Sequence, residues 1–372
     1  MNILFIEQQP RFIGGSERIT LSLCTQMRRH GHGTHLVYET VGDMVSAFAE
    51  VTDSCTRARV LPIALRRPLE AAASLGNLRR IVRRHRIDVL FTSHLGYVPL
   101  LAAQRFLGGK PSLVHIGLGV SLRTTLFRWA MPRIDAIVAP SEPMRQICAD
   151  SGWPVGHLQV IPNGVDLERF KPAADRGALR SELGLPPSLS LAVYAGRLVA
   201  EKGVFTLVRA AARLRRSGLR FHLAIVGAAP ASEAGELASL ATSEGLGPDD
   251  FTLRGPTDRP ERYFAAADIT VVPTQGPESF GLVAIEAMAC ASAPIVSDAG
   301  ILPEIVGREN GACWFRQGDE EELSQKLLFL FTSHGAREAV VQASLERVRA
   351  RYSLVECSKS YERALSASIA GK

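Results

Sequence analysis

Short runs of consecutive apolar residues recur along the chain, and each is followed by a stretch whose apolar positions have helical spacing. The runs are residues 2–6, 35–38, 88–92, 112–116, 136–139 and 158–161, then 191–194, 222–226, 251–253, 269–272, 294–296 and 311–315. Continuous runs, unlike alternating ones, are typical of parallel strands that are buried on both faces. The pattern therefore predicts an α/β chain with two doubly wound, Rossmann-like domains in sequence.

The predicted boundary between the domains lies where Pro172, Pro186 and Pro187 interrupt a charged stretch. Prolines and charges in such a stretch are typical of a connection. We therefore predict an N-terminal domain over residues 1–167, a linker over 168–187 and a C-terminal domain over 188–352. Residues 353–372 continue a helical pattern without a further strand, and they predict a separate last helix.

Composition narrows the class of protein. The 372 residues are 46% hydrophobic and 22% charged, which is typical of a soluble globular protein. The first apolar run is too short for a signal peptide, and no run approaches the roughly 20 residues of a membrane span. Six cysteines without a Cys-x-x-Cys pair indicate free thiols in a reducing compartment. We therefore expect a cytoplasmic protein.

Charge is uneven along the chain. Residues 1–172 carry 21 Lys and Arg against 13 Asp and Glu, a balance of +8, and the remainder carries 22 against 24. Because no nucleic-acid-binding motif accompanies this charge, we expect no nucleic-acid partner and favour a membrane surface or an anionic acceptor. The basic positions are Arg66, Arg67, Arg79, Arg80, Arg83, Arg84, Arg86, Arg123 and Arg128, the last two beside Leu122, Leu126 and Trp129 at the spacing of an interfacial helix. A core-packed helix with solvated arginines is the alternative.

Ligands of open parallel sheets bind outside the carboxyl ends of the strands, so the loops that leave the strands are the places to search. Gly14 and Gly15 follow the first strand and precede a helix, where backbone amides can approach a phosphate. A plain turn is the commoner meaning of such a pair. Arg197 and Lys202 follow the strand at 191–194, and two cations on one loop suit a diphosphate. They could also be solvated surface cations with Glu201 as a partner.

The segment from Pro273 to Met288 has the most specific pattern. A strand ends, a Gly/Pro turn carries Glu278, and a helix that contains Glu286 begins near Gly281. The unpaired amides at a helix start favour an anion. In the N-terminal half, His94 and His115 end two neighbouring strands, although a histidine at a strand end is more often structural. No Asp-x-Asp and no His/Cys group with ligand spacing is present, so we expect no metal.

Together these motifs resemble, in their order and over nearly the whole chain, the retaining glycosyltransferases of family 4. The sequence Ile-Pro-Asn-Gly-Val-Asp at 161–166 also belongs to this resemblance. It implies the GT-B fold, with two Rossmann-like domains facing each other across a cleft and a last helix that crosses back to the N-terminal domain. One departure is Gly-Ala-Ala at 227–229, where the family often has glycine at the third position.

The resemblance also implies roles for individual residues. Arg197 and Lys202 would bind the donor diphosphate, Glu286 the ribose, and Glu278 the transferred sugar, while His115 would contact that sugar or support charge near its anomeric carbon. Backbone atoms at 254–255 would meet the base. The implied catalytic residues are His115, Glu278, Arg197 and Lys202, and the implied donor-binding residues are Gly14, Gly15, Arg197, Lys202, Arg254, Gly255, Glu278, Ser279, Phe280, Gly281, Leu282 and Glu286.

The implied function is transfer of a sugar from a UDP- or GDP-sugar to a hydroxyl acceptor, with retention of anomeric configuration and without a cofactor. The acceptor would be a saccharide, a lipid-linked glycan or a surface polysaccharide precursor, and the enzyme could contact the inner face of the membrane. Two alternatives stay open: a nucleotide-sugar epimerase of the same fold, and a catalytically silent nucleotide-sugar-binding protein. A dinucleotide oxidoreductase is less favoured, because no Gly-x-Gly-x-x-Gly follows the first strand.

Overall fold

The computed structural model describes residues 1–11, 15–60, 68–117, 125–153, 155–228 and 230–371. The chain divides into two compact units. Unit 1 consists of Met1–Gly164 and Leu354–Lys372, and unit 2 of Val165–Ser353. Each unit has its own parallel sheet and its own hydrophobic core.

The described part of unit 1 forms a seven-stranded sheet in the order β3-β2-β1-β4-β5-β6-β7. The strands are β1 Asn2–Glu7, β2 Gly33–Tyr38, β3 Ser54–Arg57, β4 Val89–Thr92, β5 Ser112–His115, β6 Ala136–Ala139 and β7 Leu158–Val160. The helices are α1 Gly15–Arg29, α2 Val45–Val51, α3 Pro68–Arg84, α4 Val98–Phe106, α5 Thr125–Ala130, α6 Glu142–Asp150 and α15 Leu354–Ala370. The predicted parallel α/β architecture is confirmed, with β3 added at the edge.

The two faces of the unit 1 sheet are both covered, which explains the continuous apolar runs. In β1, Ile3 and Phe5 belong to one buried cluster, while Leu4 and Ile6 belong to another. Successive residues of a strand point to opposite faces, so the two clusters lie on opposite sides of the sheet. Strand β3 has no apolar run because it is a half-buried edge strand, and the sequence pattern therefore missed it.

The described part of unit 2 forms a six-stranded sheet in the order β10-β9-β8-β11-β12-β13. The strands are β8 Ser190–Ala195, β9 Phe221–Val226, β10 Phe251–Arg254, β11 Ile269–Val272, β12 Ala293–Ser297 and β13 Trp314–Phe315. The helices are α7 Arg176–Glu182, α8 Val204–Arg216, α9 Ala231–Ser243, α10 Pro260–Ala266, α11 Leu282–Ala289, α12 Leu302–Val306, α13 Glu320–Thr332 and α14 His334–Arg351. All six strands predicted for this half are confirmed.

Residues 168–187, predicted as a linker, are packed into unit 2. Phe170 and Leu185 are 4% and 3% exposed, and α7 lies between them. Arg180 of that helix is also buried, and its guanidinium donates to Asp268 at 2.9 Å. This segment is therefore part of the second unit, because partners distant in sequence bury it. The final helix α15 belongs to unit 1.

Both sheets reverse their strand order at an internal position. In unit 1 the reversal lies between β1 and β4, and in unit 2 it lies between β8 and β11. At such a point the chain leaves the two neighbouring strands toward opposite faces, and a crevice opens beyond their carboxyl ends. Each unit thus has one position where a ligand is most favourably held.

Candidate functional site

The loops after β8 and β11 meet at the strand-order reversal of unit 2. The amide of Gln275 donates to the carbonyl oxygen of Glu201 at 2.9 Å. Gly203 has φ +72°, and a Cβ at this residue would lie 1.7 Å from the carbonyl oxygen of Pro273. Only glycine allows both the left-handed backbone and this close approach. Backbone contacts therefore hold the two loops together.

A lysine and a glutamate from these two loops form an ion pair. Lys202 ends a short 3₁₀ turn after β8, and its Nζ donates to Glu278 Oε2 at 2.8 Å. The two side chains are 28% and 14% exposed. The structure thus brings together the residues that the sequence assigned to the donor phosphate and to the transferred sugar. A positive and a negative group stand side by side, each partly open to solvent.

Arg197 is the second cation of this site. It is exposed, and among the residues that the structure describes no carboxylate forms an ion pair with its guanidinium. Its carbonyl oxygen accepts a hydrogen bond of 2.6 Å from the hydroxyl of Tyr194, which is 3% exposed. Burial raises the pKa of Tyr194, so this hydroxyl stays protonated and keeps donating. The backbone at Arg197 is fixed while its charge faces solvent.

Helix α11 begins beside this pair without a side-chain cap. Gly281 precedes it with φ +84°, and a Cβ at this residue would lie 2.4 Å from Leu302 Cδ2. The amides of Phe280, Gly281 and Leu282 make no hydrogen bond within the described ranges. The Phe280 ring is buried against Tyr352, so only the backbone of this residue can meet a ligand. Three amide donors are thus available to an anion.

Two further predicted donor residues belong to the same segment. Glu286 lies in the second turn of α11 and is 5% exposed. Ser279 is half-buried and directly follows Glu278 in the turn before the helix. Glu286 therefore lies at the helix position that the sequence predicted. Its side chain is more buried than a glutamate on the surface of a helix would be.

Arg254 and Gly255, the residues predicted to meet the base, are exposed at the end of the edge strand β10. Strand β10 lies two strands from β8, which corresponds to about 10 Å across the sheet. Between them the carbonyl oxygen of Arg254 accepts a hydrogen bond from the amide of Gly227. Gly227 closely approaches Gly196, and Ala229, where the sequence departs from the family, lies outside the described residues.

The residues predicted in unit 1 have mixed outcomes. Gly15 is the exposed first residue of α1, while Gly14 lies outside the described residues. His115 differs from its predicted role as a sugar contact, because its side chain is fully buried and its Nδ1 lies 2.7 Å from the Tyr361 hydroxyl of α15. Burial lowers the pKa of His115 to about 4. In this structure the ring is a neutral core group that joins β5 to the last helix.

The strand-order reversal of unit 1 carries a group that the sequence did not reveal. One ligand atom each from Glu7, Glu17 and His94 lies within 4.8 Å of the others, a set that could hold a metal ion. Glu7 ends β1 and is 0% exposed, and its carboxylate is hydrogen-bonded to His94 Nε2. A carboxylate that ends an otherwise apolar strand was the one signal in the sequence.

Burial alone would lower the pKa of His94, but the hydrogen bond and the charge of Glu7, together with the charge of Glu17, raise the pKa above its ordinary value. The contacts of His94 with the two carboxylates thus favour the protonated form of its ring. In unit 2, by contrast, two cations and three amide donors lie on the loops and the helix start that also carry the paired carboxylate of Glu278. The first arrangement suits hydroxyl donors or a cation, and the second suits an anion such as a diphosphate.

Two family models match the chain, one on each half. The model described as Glycosyltransferase Family 4 matches residues 13–169. The model described as Glycosyl transferases group 1 matches residues 175–347. Together they leave only the two ends and a few residues between the halves unmatched.

Curated relatives match parts of the chain. It is 39% identical over 152 residues to the D-inositol 3-phosphate glycosyltransferase of Segniliparus rotundus, covering 40% of this chain and 33% of that protein. It is 33% identical over 201 residues to the alpha-maltose-1-phosphate synthase of Mycobacterium tuberculosis, covering 52% of this chain and 51% of that protein. The chain thus spans between a third and about half of the length of these relatives.

Solved structures match over the full length. Anabaena HepE in complex with UDP superposes with a TM-score of 0.86 at 20% identity, covering 99% of this chain and 100% of that one. The sucrose-phosphate synthase of Thermosynechococcus elongatus superposes with a TM-score of 0.83 at 20% identity, covering all of both chains. At these identities the likeness establishes the fold.

Proposed function

The chain belongs to the family 4 glycosyltransferases with the GT-B fold, and from this premise we propose that it transfers a sugar from a nucleoside diphosphate donor to an acceptor hydroxyl. The observation that carries the proposal is the arrangement at the strand-order reversal of unit 2. Lys202 and Glu278 are paired there at 2.8 Å, beside the uncapped start of α11. This region offers positive charge for a diphosphate and, close to it, a carboxylate that can accept hydrogen bonds from sugar hydroxyls.

In this proposal the diphosphate lies above β8 and β11. Arg197 binds it as a planar fork, Lys202 as a point charge, and the amides at 280–282 as neutral donors. The nucleoside extends across the strand ends toward β10, where Arg254 and Gly255 end the sheet. Glu286 accepts hydrogen bonds from the ribose hydroxyls, and Glu278 accepts them from the hydroxyls of the transferred sugar.

The chemical step places negative charge on the departing diphosphate and positive charge on the sugar. Arg197, Lys202 and the helix start stabilise the departing anion, and one such interaction contributes about 10²–10³ in turnover. The leaving phosphate takes the acceptor's proton as the new bond forms on the same face of the ring, which retains the anomeric configuration. No divalent ion is required in this scheme, because the protein itself supplies the positive charge.

Retention of configuration has a direct test. Proton NMR of the fresh product from an α-linked donor should show an α-linked sugar. A β-linked product would contradict the same-face mechanism while leaving the donor site unaffected.

A uridine donor and a saccharide or polyol acceptor are the favoured substrates. The support comes from structural neighbours of the same fold, since Anabaena HepE has been solved with UDP and with UDP-glucose. Curated relatives are named for transfer to inositol phosphate and to lipopolysaccharide. These acceptors differ from one another, and what they share is a sugar or polyol hydroxyl.

The test of the donor site is calorimetric titration of the full chain with UDP, GDP and UDP-glucose. We expect UDP to bind, and Arg197→Ala to weaken binding by roughly tenfold or more, the effect of losing a hydrogen bond to a charged group. Arg220→Ala is the matched control, because Arg220 is exposed and directly precedes β9, at the amino ends of the strands and therefore opposite the site. Equal affinities in the two variants would refute the site.

Unit 1 also carries a surface that fits an anionic membrane. Phe106 and Leu107 are 68% and 50% exposed, and the Phe106 ring stands against Trp129 with 6.3 Å between ring centroids. The Arg133 guanidinium lies 4.5 Å from the Trp129 ring centroid, and Arg79 donates to the carbonyl oxygen of Leu107. Aromatic rings beside arginines are typical of membrane interfaces.

We therefore propose that this aromatic–arginine surface (Arg79, Phe106, Leu107, Trp129 and Arg133) docks reversibly on anionic lipid. Arg79 and Trp129 are among the residues predicted for a membrane contact, whereas Phe106, Leu107 and Arg133 are not; of the predicted residues, Arg66, Arg67, Leu122 and Arg123 lie outside the described residues. No helix in the described ranges is long and apolar enough to cross a membrane.

Vesicle sedimentation at low salt tests this docking. Phe106→Ala should reduce binding to vesicles rich in phosphatidylserine, whereas Phe329→Ala, a change at a 46% exposed phenylalanine in unit 2, should not. Binding that is absent at low salt, or equal on neutral vesicles, would exclude the anionic-membrane surface.

A further inference from the structure

A buried tyrosine of β8 supports the turn that carries the exposed arginine of the unit 2 site. Tyr194 is the last residue but one of β8, and its side chain belongs to the hydrophobic core of unit 2. Its hydroxyl donates to the carbonyl oxygen of Arg197 at 2.6 Å. A side chain that is 3% exposed thus ends at the backbone of a residue that is itself exposed.

The rest of this turn is held by the neighbouring strand. The amides of Gly196 and Leu198 donate at 3.0 Å and 2.8 Å to backbone carbonyl oxygens of the segment 226–228, where β9 ends. These two bonds hold the residues before and after Arg197. Within the described part of the chain, the carbonyl oxygen of Arg197 itself accepts a hydrogen bond only from Tyr194.

The turn has room for the hydroxyl because residue 196 is a glycine. A Cβ at Gly196 would lie 3.1 Å from the Tyr194 hydroxyl oxygen, closer than most Cβ contacts in proteins. A Cβ at Gly227 would lie 1.7 Å from the carbonyl oxygen of Gly196, so the turn and the end of β9 are in direct backbone contact. The turn is thus packed closely against both the hydroxyl and the end of β9.

The charged groups of the site act on this hydroxyl. Burial is the largest cause of the raised pKa of Tyr194, and of the charges that act on it, Arg197 lowers the pKa and Glu278 raises it. A cation and a carboxylate from two different loops are therefore both within electrostatic reach of one buried oxygen. Because the hydroxyl keeps its proton, it remains a hydrogen-bond donor to the backbone of the turn.

We propose that Tyr194 is a positioning residue of the donor site, whose hydroxyl holds the backbone of Arg197 so that the guanidinium meets the diphosphate. This inference rests on the proposed glycosyl transfer and adds to it a residue that does not touch the donor. Binding must order the several rotatable bonds of an arginine, which opposes binding entropically. A fixed backbone reduces what has to be ordered, and displacement of a catalytic group by about 1 Å can reduce turnover about 100-fold.

The test is a double-mutant cycle on UDP binding, measured by calorimetry with the full chain. Tyr194→Phe removes the hydroxyl and keeps the ring that fills the core. We expect the dissociation constant for UDP to rise about three- to tenfold, the effect of losing one hydrogen bond. In an Arg197→Ala background the same change should alter the constant less than about twofold, because the residue through which Tyr194 acts is gone.

A comparison of ligands separates positioning from a general effect on the fold. Because Arg197 is proposed to bind the diphosphate, Tyr194→Phe should leave the affinity for uridine, measured by ligand-observed NMR, at the wild-type value. A tyrosine that only supports the fold would weaken UDP and uridine equally. Tyr263→Phe is the matched control, because Tyr263 is a partly buried tyrosine of α10, the helix that leads to the amino end of β11. It should change neither affinity.

Tyr194→Phe is expected to fold, with a melting temperature within about 5 °C of wild type. A UDP affinity equal to that of Tyr263→Phe would overturn the positioning role and leave the donor site intact. Effects of Tyr194→Phe and Arg197→Ala that add fully, or an equal loss for uridine, would overturn it as well. If the wild type binds GDP instead of UDP, the cycle is run with GDP and guanosine. A wild type that binds neither nucleotide would refute the proposed function, and this inference with it.

Discussion

The ion pair of Lys202 and Glu278 allows a structural role to be separated from a catalytic one. Lys202→Ala removes a positive charge next to the position proposed for the departing diphosphate. Losing one such partner costs about 10²–10³ in turnover, or roughly 3–4 kcal/mol of transition-state stabilisation. The same change leaves a carboxylate that is only 14% exposed without its lysine.

The cost to stability is smaller and can be bounded. An exposed ion pair contributes up to about 1 kcal/mol, and removing one partner of a buried pair costs about 3–5 kcal/mol. Lys202 and Glu278 are 28% and 14% exposed, so they lie between these limits. We expect a loss of roughly 1–2 kcal/mol in the free energy of unfolding for Lys202→Ala.

The decisive variant exchanges the two residues, Lys202→Glu with Glu278→Lys. It restores an ion pair of the same composition and should recover most of the lost stability in urea denaturation. The exchange places a cation at the position of the carboxylate that is proposed to bind the transferred sugar. We therefore expect kcat/KM for UDP release to stay at least about 100-fold below wild type. Arg220→Ala serves as the control for a lost surface cation. Activity that returns together with stability would show that the pair is only structural.

Three further outcomes are expected. Gly281→Ala adds a Cβ at φ +84° and 2.4 Å from Leu302, so it should cost about 1–3 kcal/mol and weaken UDP binding in calorimetry, while Gly235→Ala, at an open helical position, should do neither. Burial lowers the pKa of His115 to about 4 from 6.5, so the unfolded chain takes up the proton first and stability should fall by up to about 3 kcal/mol as pH drops from 6.5 toward 4. Urea midpoints measure that slope, and an unchanged slope in His115→Gln would refute it. Turnover should persist in excess EDTA, and loss rescued only by Mn²⁺ or Mg²⁺ would contradict the assignment of the leaving-group charge to Arg197 and Lys202.

Much of the fold could be predicted because the relevant signals are local. A strand buried on both faces must be apolar at every position, and the runs at 191–194 and 269–272 therefore marked β8 and β11. The glycines at 203 and 281 stand where the backbone is left-handed, which few other residues tolerate. The sequence pattern missed β3, because an edge strand need not be apolar at every position. It also indicated a linker at 168–187, because prolines are typical of linkers, whereas here they lie close in sequence to residues that are buried in unit 2.

The residue types of the unit 2 site and their order were determined by the sequence alone: a cation after one strand, a carboxylate and an uncapped helix start after another. Strand order decided which of these side chains meet, since β8 and β11 are neighbours only in the sheet. The same dependence explains His115. It ends a strand, as a ligand-binding residue often does, but Tyr361, 246 residues later in the chain, covers its ring. It also explains the group formed by Glu7, Glu17 and His94, none of which stands out by itself in the sequence. Local pattern specifies what a strand end carries, whereas proximity and burial depend on contacts between segments that are far apart in the chain.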